Sequence, residues 1–106
     1  MKEHQSNEAD AVTSPTKRDF VVRAYANLGN LYLAKKNYEK SEYYFKAVTD
    51  MDSDNYMGHF SLGKAYYKEG KPEPAIKELE NALSLNPDSP EIQKVLEQMK
   101  QVIGKK

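Results

Sequence analysis

Few residues in this chain have the type and spacing to do chemistry. It carries 106 residues and no cysteine, which excludes a disulfide framework, a thiolate zinc site and a cysteine nucleophile. Of the two histidines, His4 lies in a polar leading stretch and His59 stands alone in the middle of the chain. His59 is read as a partly buried packing residue rather than a metal ligand. An enzyme needs a nucleophile, an acid–base pair or a metal gathered in a concave site. No H-E-x-x-H, no glycine-rich phosphate loop and no G-x-S-x-G occurs. Met51-Asp52-Ser53-Asp54-Asn55 alternates acids as calcium ligands do, yet it lacks the loop glycine and the closing glutamate of an EF-hand. Its acids are read instead as helix caps, Asp54 first among them. The sequence therefore predicts no enzyme activity, no catalytic residue, no metal and no cofactor.

What remains is side chains that bind rather than react. Sixteen basic residues balance sixteen acidic ones, for a formal net charge of 0. A nucleic-acid partner is not expected, because neutralising phosphates calls for a basic excess. Apolar runs are only a few residues long and Met1 to Asp10 is polar, so neither a membrane-spanning helix nor a signal-peptide core is seen. The expectation is one small soluble domain, cytoplasmic by that absence of signals, or a fragment of something larger.

The elements that must position these side chains show up as repetition. Placing Val22 over Tyr56 aligns two 34-residue blocks without a gap. In that register Leu28 meets Leu62, Gly29 meets Gly63 and Tyr32 meets Tyr66. Tyr25 stands opposite His59, Ser41 opposite Ala75, Phe45 opposite Leu79 and Val48 opposite Ala82. Apolar residues recur within each block at helical spacing. Gly29 and Gly63 fall mid-helix, where glycine costs about 1 kcal/mol relative to alanine, so a close helix crossing is expected there, with Ser41 and Ala75 as the small partners. Asn37 and Glu69-Gly70-Lys71-Pro72 read as turns between paired helices.

A last helix starts at Ser89, as N-cap, and Pro90. Its apolar face is Ile92, Val95, Leu96, Met99, Val102 and Ile103. Residues 1–18 are polar and aperiodic and read as a flexible tail. Ser14-Pro15 there is read as a helix cap or plain linker, ahead of a proline-directed phosphorylation site.

The pattern resembles the tetratricopeptide repeat, whose period is 34 residues. Leu62-Gly63, Tyr66, Ala75, Ala82 and Pro87 carry the resemblance in the second block, and the stretch from Tyr25 to Tyr32 carries it in the first. Departures are Tyr25 and His59 at the tryptophan position, Ser41 at the crossing alanine, Ser53 at the closing proline and Lys36 at the turn glycine. The resemblance implies an all-α fold, an α-solenoid of antiparallel helix pairs with about five helices. It divides the chain into a tail (1–18), a first repeat (19–55), a second repeat (56–89) and a capping helix (90–106).

It also implies a function: a protein–protein interaction module, an adaptor or scaffold that binds a peptide or helix in its concave groove. The alternative is self-association as a homo-oligomer. Carried over by position, the groove residues are Arg23, Ala26, Asn27, Asn30, Leu33 and Ala34 from the first block. Met57, Phe60, Ser61, Lys64, Tyr67 and Lys68 follow from the second, and Glu91, Lys94 and Gln98 from the last helix. The carboxylate clamp used by some members is not expected: Asn30 matches it, but Ala26, Ser61, Glu91 and Val95 replace its other polar groups. Leu33, Met57, Phe60 and Tyr67 are expected to form an apolar floor, ringed by Arg23, Lys64, Lys68 and Lys94. Such a groove suits an acidic peptide with apolar anchors. Of the eight tyrosines, Tyr25, Tyr32 and Tyr66 are expected in or near the core and Tyr38, Tyr43 and Tyr44 in packing contacts, leaving Tyr67 as the binding candidate.

Overall fold

The computed structural model describes residues 16–104, which form five α-helices and, among themselves, no strand. The expected tail up to residue 15, with His4 and Ser14, lies outside the described residues. The helices are α1 (Lys17–Ala34), α2 (Tyr38–Met51), α3 (Tyr56–Lys68), α4 (Pro72–Leu85) and α5 (Pro90–Gly104). They pack in chain order as an all-α solenoid: α1 on α2, α2 on α3, α3 on α4 and α4 on α5. The helix ends at Ala34 and Lys68, the starts at Tyr38 and Pro72, and the ends at Met51 and Leu85 are each 34 residues apart.

Local chemistry sets those bounds. Thr16 closes a capping box on α1: its Oγ1 accepts the Asp19 N–H at 3.1 Å, and Asp19 Oδ2 accepts the Thr16 N–H at 2.9 Å. The cap is thus Thr16, not Ser14, and the helix begins within the expected tail. Asn37 caps α2 by accepting from Lys40 N–H at 3.3 Å. Asn55 caps α3 by accepting from Gly58 N–H at 3.0 Å. This corrects the expectation for Asp54, which stands one position too early for its side chain to serve as the N-cap. Ser89 caps α5 as expected, its Oγ accepting from Ile92 N–H at 3.3 Å. Between the paired helices the backbone turns left-handed at the same place twice, at Lys36 (φ 64°) and Gly70 (φ 82°). Lys36 takes the strained turn position that glycine fills in the second repeat.

The glycines mark the helix crossings. A Cβ on Gly29 would lie 2.7 Å from the Phe45 ring, and one on Gly63 would lie 3.0 Å from Leu79 Cγ and 3.1 Å from the Ala75 carbonyl oxygen. Ser41 sits at the first crossing, fully buried, and donates its hydroxyl to the Gly29 carbonyl at 2.8 Å. Around these crossings the core forms two clusters. Phe45, Leu62 and Ala65 join the first repeat to the second, with Leu33 and Tyr66 against them. Phe60, Ala75, Leu79 and Ala82 meet Ile92, Leu96 and Met99 of α5 in the other.

Two expectations about packing need correction. Val102 is exposed near the end of α5 while Ile103 after it is half-buried, so Val102 alone of the expected apolar face turns to water. Tyr43 is also exposed, and its ring meets Tyr44 in a T-shaped pair with centroids 5.2 Å apart. Tyr44 is the ring that packs, stacked on Tyr32 at 5.7 Å and tilted against Tyr25 at 5.8 Å. His59 is partly buried as expected, and its Nδ1 lies 2.7 Å from Glu78 Oε1 while Nε2 lies 2.9 Å from the Ser53 carbonyl. It ties α3 to α4 and to the turn before it.

Candidate protein-interaction groove

α3 contributes side chains to two clefts, one shared with α1 and the other with α5. One cleft, about 90 Å³, lies between α1 and α3 and is lined by Ala26, Asn30, Met57 and Ser61 over Phe45 and Val48. A second, about 160 Å³, lies between α3 and α5 and is lined by Lys64, Tyr67, Lys68, Val95, Gln98 and Met99. A wider depression of about 440 Å³ continues from Tyr67 and Lys68 to Gly70, Pro72 and Val102. Helical spacing explains why Lys64, Tyr67 and Lys68 converge: they are residues i, i+3 and i+4 of α3 and share one face.

The structure brings some of the sequence-predicted residues together and leaves others apart. Lys64, Tyr67 and Lys68 share the α3–α5 cleft, and Asn30 and Met57 share the α1–α3 cleft. Arg23, Asn27 and Lys94 are exposed but line neither cleft. Leu33 is half-buried against Phe45, Leu62 and Ala65.

Phe60 is the clearest correction. It is only 2% exposed and belongs to the core with Leu79, Ile92 and Met99, so it cannot be an open anchor on the groove floor. The reason is α5, which covers it. Lys64 Nζ lies 4.7 Å from the Phe60 ring centroid, which draws that cation over the ring. Met99 and Asn55 also line the clefts, beyond the expected groove positions, as does Val95 from the clamp position that the resemblance gives it. Val95 is half-buried and keeps an open side in the wedge between α3 and α5, whereas Met99, only 3% exposed, stays in the core and borders the cleft from below.

At the far side of the α3–α4 turn, three charges meet. Lys71 Nζ lies 3.3 Å from Glu42 Oε1 and 3.6 Å from Glu69 Oε2, while Glu69 Oε1 is buried without a hydrogen-bond partner among the described residues. Burial, helped by a hydrogen bond and repulsion from Glu42, pushes the Glu69 carboxyl up to about 7. Burial acts on Glu42 in the same sense, but the hydrogen bond from Glu69 and the Lys71 ammonium outweigh it and hold Glu42 below the usual range. The two carboxyls are thus shifted in opposite directions beside one cation. Burial also raises the Tyr66 hydroxyl next to this cluster.

The helix order, the glycine crossings and the groove match one repeat architecture, and the family model of the tetratricopeptide repeat matches residues 32–99, more than half of the 106-residue chain. The chain belongs to the tetratricopeptide repeat family. The matched span runs from the last turn of α1 to Met99 in α5, so it includes the Gly63 crossing and both sides of the α3–α5 cleft, while Gly29 of the first crossing precedes it. Members of this family generally mediate protein–protein interactions. No curated protein matches the chain. No helix among the described residues is long and apolar enough to cross a membrane.

Proposed function

We propose that this tetratricopeptide-repeat protein is an adaptor module, without chemistry of its own, that holds a segment of a partner protein against its α1–α3–α5 face in the cytoplasm. The α3–α5 cleft carries the reading. It offers an apolar wall of Val95 and Met99, an exposed ring at Tyr67, and two ammonium groups at Lys64 and Lys68. The fitting segment places an apolar side chain in the cleft and acidic residues beside the lysines. Asn30 and Met57 extend the contact toward α1, and Arg23 and Lys94 supply longer-range positive potential rather than direct contacts.

A displayed peptide library selected on the full chain tests this. Selected sequences should combine an apolar anchor with flanking acids, and Lys64→Glu/Lys68→Glu should weaken them about tenfold or more at low salt. Tyr67→Ala should weaken them without changing the salt dependence. Phe60 is left intact in this test, because truncating it would open the core. Equal affinity for the wild type and the double charge reversal at low salt would remove the groove as the binding site.

A further inference from the structure

The outer face of α1 is an apolar seam with no helix against it among the described residues. Val21, Ala24, Leu28 and Leu31 follow one another at alternating steps of three and four, the a and d positions of a helix-pairing heptad. Val21 and Leu31 are 40% and 49% exposed, and Phe20 beside them is 56% exposed. The buried residues of the same helix, Val22 and Gly29, each follow a seam residue and so are turned about 100° away from it. The other end of the solenoid differs: the outward residues of α5 are Lys94, Glu97 and Gln101, all exposed and polar. End-to-end stacking of copies would therefore set an apolar seam on a polar face.

Charge decides what fits the seam. Lys17 and Lys35 continue the same heptad, one step before Val21 and one step after Leu31, and both are exposed. Pairing with the α1 of a second copy places Lys17 opposite Lys35 when antiparallel, and each lysine opposite itself when parallel. Like charges meet in either direction. Lys17 also stands at the positive end of the helix dipole, with Arg18 beside it. Asp19, the acid of that first turn, is already engaged with the Thr16 N–H.

We infer that the α1 seam docks an amphipathic helix of a partner protein, apolar along its contact stripe and acidic along its rims, at a surface separate from the groove. The probe is a synthetic, dye-labelled helix of about three heptads with leucine at a and d and glutamate at e and g. Fluorescence anisotropy with the full chain should show saturable binding. Leu31→Asp should weaken it about tenfold or more with helical circular dichroism unchanged. Lys17→Glu/Lys35→Glu, which alters only exposed polar positions, should do the same, as should replacing the peptide's glutamates with lysines. Lys64→Glu/Lys68→Glu should leave it unchanged, which separates this surface from the groove. Absence of saturable binding, or equal binding by the Leu31→Asp chain or by the lysine peptide, would overturn the inference. So would a dimer in sedimentation that Leu31→Asp dissolves, since a second copy would then be the occupant.

Discussion

Gly29 and Phe45 show how closely single residues are fitted in this molecule. A methyl group at residue 29 would sit 2.7 Å from the Phe45 ring, inside contact distance, so the ring or the helices must shift. Gly29→Ala is expected to destabilise the fold by about 1–3 kcal/mol, even though alanine is the better helix former. Urea denaturation checks this, and adding Phe45→Leu should recover part of the loss, because the second repeat pairs its glycine with Leu79. Glu69 is the other residue with a measurable consequence. Its carboxyl is raised from 4.5 to about 7, so the folded state keeps a proton that the unfolded chain releases. Stability from this group is fully present below 4.5 and is lost as the pH rises toward about 7. Glu42 acts in the opposite sense, its contribution fading only at pH values below the usual glutamate range. Thermal melts should therefore fall in midpoint across the window from 4.5 to about 7, and Glu69→Gln should flatten that fall. A wild type and a Glu69→Gln variant with parallel pH profiles would contradict the raised Glu69 carboxyl.

The helices owe their limits to short-range chemistry and their positions to packing. Asn55 satisfies the Gly58 N–H at the start of α3, whereas Asp54 makes no such bond. Asn55→Ala should cost about 1 kcal/mol and Asp54→Ala less than about 0.5 kcal/mol, measured in the same denaturation experiment. The left-handed turns at Lys36 and Gly70 then reverse the chain so that α2 and α4 fold back on α1 and α3. Thr16 extends α1 toward the N-terminus beyond the repeat register and so lengthens the exposed seam from Val21 down to Lys17.

At the scale of the whole molecule, α5 decides both stability and the groove. Ile92, Leu96 and Met99 cover Phe60, Leu79 and Ala82. Each of the three side chains from α5 contributes about 1.5–3 kcal/mol through burial. A chain ending before Pro90 is expected to lose cooperative unfolding and to bind a hydrophobic dye, because that cluster would face water. The same truncation removes one wall of the α3–α5 cleft, so the groove and the cap cannot be separated by deletion. Point changes at Lys64 and Lys68 are the appropriate probe of binding, since both lie outside the core clusters.

The period, the helix pairs, the crossing glycines and the Ser89–Pro90 start of α5 were readable in the sequence. Each depends on residues near one another in the chain or on a pattern that repeats. Tertiary structure alone decided which groove positions stay open. Phe60 and Met57 occupy the same helix, yet α5 buries the first and leaves the second exposed. The meeting of Glu42 with Glu69 and Lys71, and of His59 with Glu78, also escaped the sequence, because each joins residues from different turns and helices. Local sequence fixes what a helix presents around its axis; which side meets water depends on the neighbours that the fold stacks against it.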